Sequence, residues 1–113
     1  MVKKYIPKQG DVVFLNFNPQ AGKEQKGKRP ALVISPEKYN QKVGLALFCP
    51  ITNQTKGYPF EVILPEKGAV KGAILSDHIK SLDWKQRKAK LICKAPKTVL
   101  EEVMQKIDVL LHY

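Results

Sequence analysis

Cysteine, histidine and arginine are scarce in this 113-residue chain, each occurring only twice, and bases outnumber acids by 20 to 10. The cysteines, Cys49 and Cys93, lie far apart. Neither has a second Cys or His about two to five positions away, the spacing a zinc site usually needs. Both are expected to be buried, reduced thiols of a reducing compartment. No window approaches the roughly 20 apolar residues of a membrane span. The longest apolar stretch near the N-terminus, Val12 to Phe17, is interrupted by Asn16. No apolar segment follows Lys3 and Lys4, so no signal peptide is expected and a cytoplasmic location is. Proline and glycine are scattered rather than clustered, and 43% of residues are apolar, which argues against disorder. One domain spanning residues 1–113 is expected, with no linker.

What is abundant is lysine. The formal net charge of +10 favours polyanions through steering and counterion release, without implying that any base is read. A lysine-rich solvated surface would show the same excess.

Gly10 to Phe17 carries β-branched and aromatic residues and breaks at Asn18-Pro19, which reads as a strand entering a turn. Gln20 to Lys28 is polar and glycine-bearing and reads as a mobile loop. Ala31 to Ile34 and Val43 to Cys49 are apolar runs ended by prolines or their neighbours, and read as buried strands. Phe60–Leu64, Gly72–Leu75 and Ala89–Cys93 add three more strands. Beyond Pro96 the period changes. Val99, Leu100, Val103, Met104, Ile107, Leu110 and Leu111 recur at helical spacing, and Thr98 with Glu101 fits a capping box. The pattern predicts a mainly β fold, a bent antiparallel sheet or small barrel with a C-terminal α-helix packed on it.

Several ordered segments resemble the MazF/PemK family of bacterial toxins. They are Tyr5-x-Pro7-x-x-Gly10-Asp11, Pro19-x-x-Gly22-x-Glu24-Gln25-x-Gly27-x-Arg29-Pro30 and Ser35-Pro36-x-x-Tyr39-Asn40. They continue as Pro50-Ile51-Thr52, Lys56 to Val62, and Asp77-His78-Ile79-Lys80-Ser81-x-x-Trp84. The resemblance implies an SH3-like barrel of the CcdB/MazF type that forms a homodimer and cuts single-stranded messenger RNA at a short sequence. It also implies an acidic antitoxin partner. One departure stands out: His78 occupies a position where members often carry glutamine, which puts a titratable ring near the expected RNA path.

Metal-free RNA cleavage needs a base for the 2′-hydroxyl, stabilisation of the charged phosphorus centre and a proton for the departing 5′-oxygen. The expected ends are a 2′,3′-cyclic phosphate and a 5′-hydroxyl. No cluster of carboxylates or histidines suits a two-metal site, so neither a metal nor any other cofactor is expected. Arg29 offers a planar guanidinium able to hold two phosphate oxygens, and the family's motif pairs it with Thr52 as catalytic. Glu24 would accept the 2′-hydroxyl proton or orient Arg29, two roles the sequence leaves open. Lys28, Lys56 and Lys80 are candidate phosphate contacts; Gln54, Asp77 and His78 are candidate readers of base edges. Tyr58 and Trp84 offer either stacking faces or core packing. Two rival readings stand beside this one: a CcdB-like toxin that binds a topoisomerase, and a non-catalytic RNA-binding module.

Overall fold

A computed structural model describes residues 4–17 and 28–112. Its strands are β1 (Asp11–Asn16), β2 (Lys28–Val33), β3 (Ala46–Thr52), β4 (Glu61–Ile63), β5 (Ala73–Leu75), β6 (Lys80–Leu82) and β7 (Lys90–Lys94). The helices are α1 (Glu37–Val43) and α2 (Lys97–His112). All pairings are antiparallel, in the order β4-β5-β3-β2-β1-β7, with β6 also on β3. The mainly β architecture with a C-terminal helix is the one the sequence pattern predicts.

Strand β3 is the hinge of the sheet. One edge pairs with β2, while the other serves β6 along Ala46–Phe48 and β5 along Ile51–Thr52. This sharing bends the sheet. Pro50 does not end the strand, as its lack of an N–H suggests from sequence alone. It falls between the stretches used by β6 and β5, where a missing donor breaks no bridge on that edge.

Side chains alternate across the sheet and build a core on each face. One face buries Val12, Leu32, Cys49, Ile51, Val62 and Ile74 beneath α2, whose Val99, Val103 and Ile107 supply the matching stripe at i, i+4 and i+8. Each such buried side chain contributes about 2 kcal/mol of hydrophobic stabilisation. The opposite face buries Val13, Leu15, Phe17, Ala31, Val33 and Phe48, covered by Tyr5, Leu82, Trp84 and Ala89. Trp84 is therefore core rather than a stacking platform, and its indole N–H donates to the Asn40 carbonyl at 3.0 Å.

Three local expectations change. Val43 does not open a strand; it closes the short helix α1, which ends at Gly44 in the left-handed region (φ 80°). This helix has no apolar stripe and is held by its own Asn40, fully buried and bonded to Pro7 and Ser35 outside the helix. Helix α2 begins at Lys97 without an acidic residue in its first turn, so Thr98 lies within the helix rather than capping it. Strand β6 carries no alternating pattern and exists through its pairing with β3.

Buried polar groups near the N-terminal segment are well partnered. The Asp11 carboxylate accepts from the Tyr5 hydroxyl, the Lys8 amide at 3.0 Å and the Lys94 ammonium at 2.9 Å. Burial and the adjacent carboxylate push the Tyr5 phenol upward. Ser35 donates to Asn40 Oδ1 at 2.6 Å and accepts from the Leu47 amide at 2.8 Å.

Candidate nuclease site

Strand register, rather than proximity in sequence, assembles the site. Leu15 lies opposite Arg29 in the β1–β2 ladder. The β2–β3 ladder pairs Ala31 with Pro50 and Leu32 with Cys49; continued two residues outward, it sets Arg29 opposite Thr52. In the β3–β6 ladder Lys80 lies opposite Phe48. Directly opposed residues of antiparallel strands share a face. Arg29, Thr52 and Lys80 thus belong to the face that buries Leu15, Ala31 and Phe48. The Lys80 ammonium lies 5.7 Å from the Phe17 ring centroid, a cation–π placement that steadies it on that face.

Thr52 is held by two local contacts. Its Oγ1 accepts from the Gln54 backbone N–H at 3.1 Å, which leaves the hydroxyl proton free to donate. Beneath it the chain passes through Gly72 with φ +112°, and a Cβ there would meet the Thr52 carbonyl oxygen at 2.1 Å. Only glycine tolerates both the angle and the approach.

Two further groups flank this centre. The Lys56 and Gly57 amides close on the Glu61 carboxylate, with contacts of 3.0 and 3.2 Å, and Gly57 turns with φ +72°. The turn is thereby fixed while the Lys56 ammonium remains without an ion-pair partner among the described residues. In the turn between β5 and β6, Asp77 Oδ2 accepts from the exposed Tyr58 hydroxyl at 2.8 Å, and this bond holds the phenol's proton above its usual range. His78 Nε2 lies 3.8 Å from Asp77 Oδ1, an oxygen that is buried and without a hydrogen-bond partner among the described residues. Asp77 also helps, after burial, to push the Cys49 thiol up to about 12. Cys49 is fully buried and free, and Cys93 is half-buried and free.

Of the residues singled out from sequence, Arg29, Thr52 and Lys80 share a face, and Lys28 begins β2 beside Arg29. Gln54 contributes its backbone N–H to Thr52, while Lys56 and Tyr58 stand exposed nearby in sequence. Asp77 and His78 form a separate pair with Tyr58. Glu24 lies outside the described residues. Among those residues no three His, Cys, Asp or Glu side chains converge as a metal site would require.

Sequence reasoning missed Asn53 and Lys71. Both line an open groove of about 450 Å³ together with Lys28 and Arg29. Nothing in the local pattern marks either residue, because only the β3–β5 pairing brings them together. Arg29 stands at the strand end, sharing a face with Thr52 and also bordering this groove, which lies on the opposite face beside Ile51 and Val70 of the core beneath α2. The arrangement offers a guanidinium, a hydroxyl and several ammonium groups without ion-pair partners among the described residues, a set suited to holding a phosphate and stabilising added negative charge on it.

Comparison with known proteins identifies the family. The family model described as PemK-like, MazF-like toxin of type II toxin-antitoxin systems matches residues 8–111. The chain is 42% identical over 111 residues to the endoribonuclease toxin MazF of Escherichia coli K12, covering 98% of this chain and 99% of that protein. The crystal structure of MazF from Deinococcus radiodurans superposes with a TM-score of 0.90 at 52% identity, covering 97% of this chain and 100% of the other. A MazE–MazF crystal structure from the same organism gives 0.88 at 53%, covering 96% and 97%. A family match over nearly the whole chain, joined to the same fold, settles its membership: this protein belongs to the PemK-like, MazF-like toxins of type II toxin-antitoxin systems.

Proposed function

We propose that this protein is an endoribonuclease toxin that cleaves single-stranded messenger RNA at a short sequence and is neutralised by an acidic antitoxin. The observation that carries this reading is the β2–β3 register, which, continued past Ala31–Pro50, puts Arg29 and Thr52 on one face at the strand ends, with lysines nearby that have no ion-pair partner among the described residues. The E. coli and D. radiodurans relatives, named as endoribonuclease MazF and as MazE–MazF complexes, support it. A topoisomerase-binding role would leave that pairing without a purpose, and a non-catalytic RNA-binding module would leave the Thr52 hydroxyl without one.

In this reading Arg29 clamps the scissile phosphate through two of its oxygens. The Thr52 hydroxyl donates to a phosphate oxygen, and the hydrogen bond strengthens as charge grows on the phosphorus centre. The 2′-oxygen attacks in line, the bond to the 5′-oxygen breaks as that oxygen takes a proton from solvent, and the ends are a 2′,3′-cyclic phosphate and a 5′-hydroxyl. Glu24 takes the 2′-hydroxyl proton or orients Arg29. Lys28, Lys56 and Lys80 hold neighbouring phosphates; Gln54, Asp77 and His78 read the unpaired bases.

The antitoxin segment lies across this basic surface and competes with the RNA. A homodimer is supported by the exposed apolar end of α2, where Val109, Leu110 and Leu111 are 51%, 42% and 72% exposed. No helix among the described residues is long and apolar enough to cross a membrane, and a cytoplasmic location fits an mRNA substrate. The test is end mapping. A long single-stranded RNA incubated with the protein in excess EDTA should yield 5′-hydroxyl ends at recurring sequences. Fragments bearing 5′-phosphates, or a requirement for Mg²⁺, would refute the mechanism.

A further inference from the structure

The groove beside Arg29 has a composition the catalytic pair does not explain. Its cations are Lys28, Arg29 and Lys71, and no carboxylate among the described residues lines it. One wall is apolar and comes from adjacent strands, with Phe14 on β1 39% exposed and Ile92 on β7 37% exposed. Its volume of about 450 Å³ falls in the range of small-ligand sites. An aromatic face beside clustered cations suits an unpaired base joined to its phosphates.

Lys71 is fixed in this setting by its neighbour. Gly72 lets the chain pass within Cβ-excluding distance of Thr52 and of Asn53, and the Leu64 amide donates to the Gly72 carbonyl at 2.8 Å. The Lys71 backbone is therefore anchored to the strand end that carries Thr52. Its ammonium has no ion-pair partner among the described residues.

We infer that this groove is a nucleotide subsite for a residue flanking the cleaved bond, with Lys71 as a phosphate contact and Phe14 and Ile92 as the wall against which its base lies. The inference rests on the nuclease reading above. It adds a residue and a subsite outside the Arg29–Thr52 pair, and it carries the RNA around the strand end at Arg29, from the face of Thr52 and Lys80 to the groove on the α2 face, where Ile51 and Val70 lie.

The experiment compares the parent with Lys71→Gln, an exposed position whose replacement leaves the fold intact, on a short single-stranded RNA spanning one mapped cut. Lys71→Gln should raise KM about fivefold while kcat stays within about twofold, and should flatten the log–log salt dependence of KM by about 0.7, the loss of one phosphate contact on a single strand. Abasic substitution, scanned along the same RNA, should reveal one flanking position at which the parent loses affinity and Phe14→Ala loses no more. A parent that cuts, with KM and salt slope unchanged in Lys71→Gln, would overturn the subsite and leave the nuclease reading standing. A Phe14→Glu variant that sediments as a monomer where the parent is a dimer would overturn it too, by assigning the wall to a second copy. A parent that cuts no RNA would overturn the nuclease reading, and the subsite with it.

Discussion

Two polar regions of this molecule use similar residues to opposite ends. Around Asp11, Ser35 and Asn40, the described polar atoms are buried and matched: a carboxylate with three donors, an amide with two carbonyls and a hydroxyl. Around Arg29, Thr52 and Lys71 the cations stand without acidic partners among the described residues. Satisfied polar groups in a low-dielectric interior specify the fold, whereas unmatched cations at strand ends await a ligand. The motifs that carried the resemblance divide along the same line. Pro7, Asp11, Ser35, Asn40 and Trp84 belong to the scaffold, and in the proposed mechanism Arg29 and Thr52 belong to the chemistry.

If that division holds, the two sets of substitutions separate activity from stability. Arg29→Ala should lower the RNA cleavage rate by about 10²–10³, the usual cost of losing one group that stabilises developing charge, with little change in the thermal midpoint. Initial-rate assays beside a melting curve check this. Asn40→Ala should do the reverse. It strands the Pro7 and Ser35 carbonyls and the Ser35 hydroxyl in a buried site, at a cost of about 3 kcal/mol in denaturant unfolding. Cleavage per folded molecule should be unchanged.

Gly72→Ala is expected to break the separation, because Gly72 links scaffold to site. The added Cβ must displace the Thr52 carbonyl, and φ +112° strains any L side chain. A loss of about 2 kcal/mol in stability together with about a tenfold fall in kcat would show the linkage, measured by urea unfolding and single-turnover cleavage.

A smaller effect concerns pH. Burial holds the Cys49 proton up to about 12 in the folded state, against 9.0 for a free thiol. Below about pH 9 the group is protonated in both states and its contribution is intact; as pH rises from there toward 12, only the unfolded chain releases the proton, so stability falls. Unfolding midpoints followed across that window should decline less steeply in Cys49→Ala than in the parent.

How much of this was legible in the sequence follows from what each feature depends on. Helix α2 was readable because its burial follows a local period, Val99–Val103–Ile107. Helix α1 was not, because its seven residues carry no such period and are anchored through Asn40 to the Pro7 carbonyl, far off in the chain. Pro50 misled for a related reason: its tolerance within β3 depends on where β5 and β6 pair, which is a property of the sheet. At the site, Arg29 and Thr52 were recognisable by motif, while Lys71 and Asn53 become neighbours of Arg29 only through strand pairing. The conformation of Gly72 likewise appears only once β5 lies against Thr52.

The most direct test of the central claim uses the parent and Arg29→Ala side by side on one long single-stranded RNA in excess EDTA, with the thermal midpoint of each recorded on the same samples. Discrete cuts by the parent and none by an equally stable variant would place the chemistry at the strand-end cations, as the account predicts. Equal cutting by both proteins, or a variant that loses activity only because it no longer folds, would contradict it.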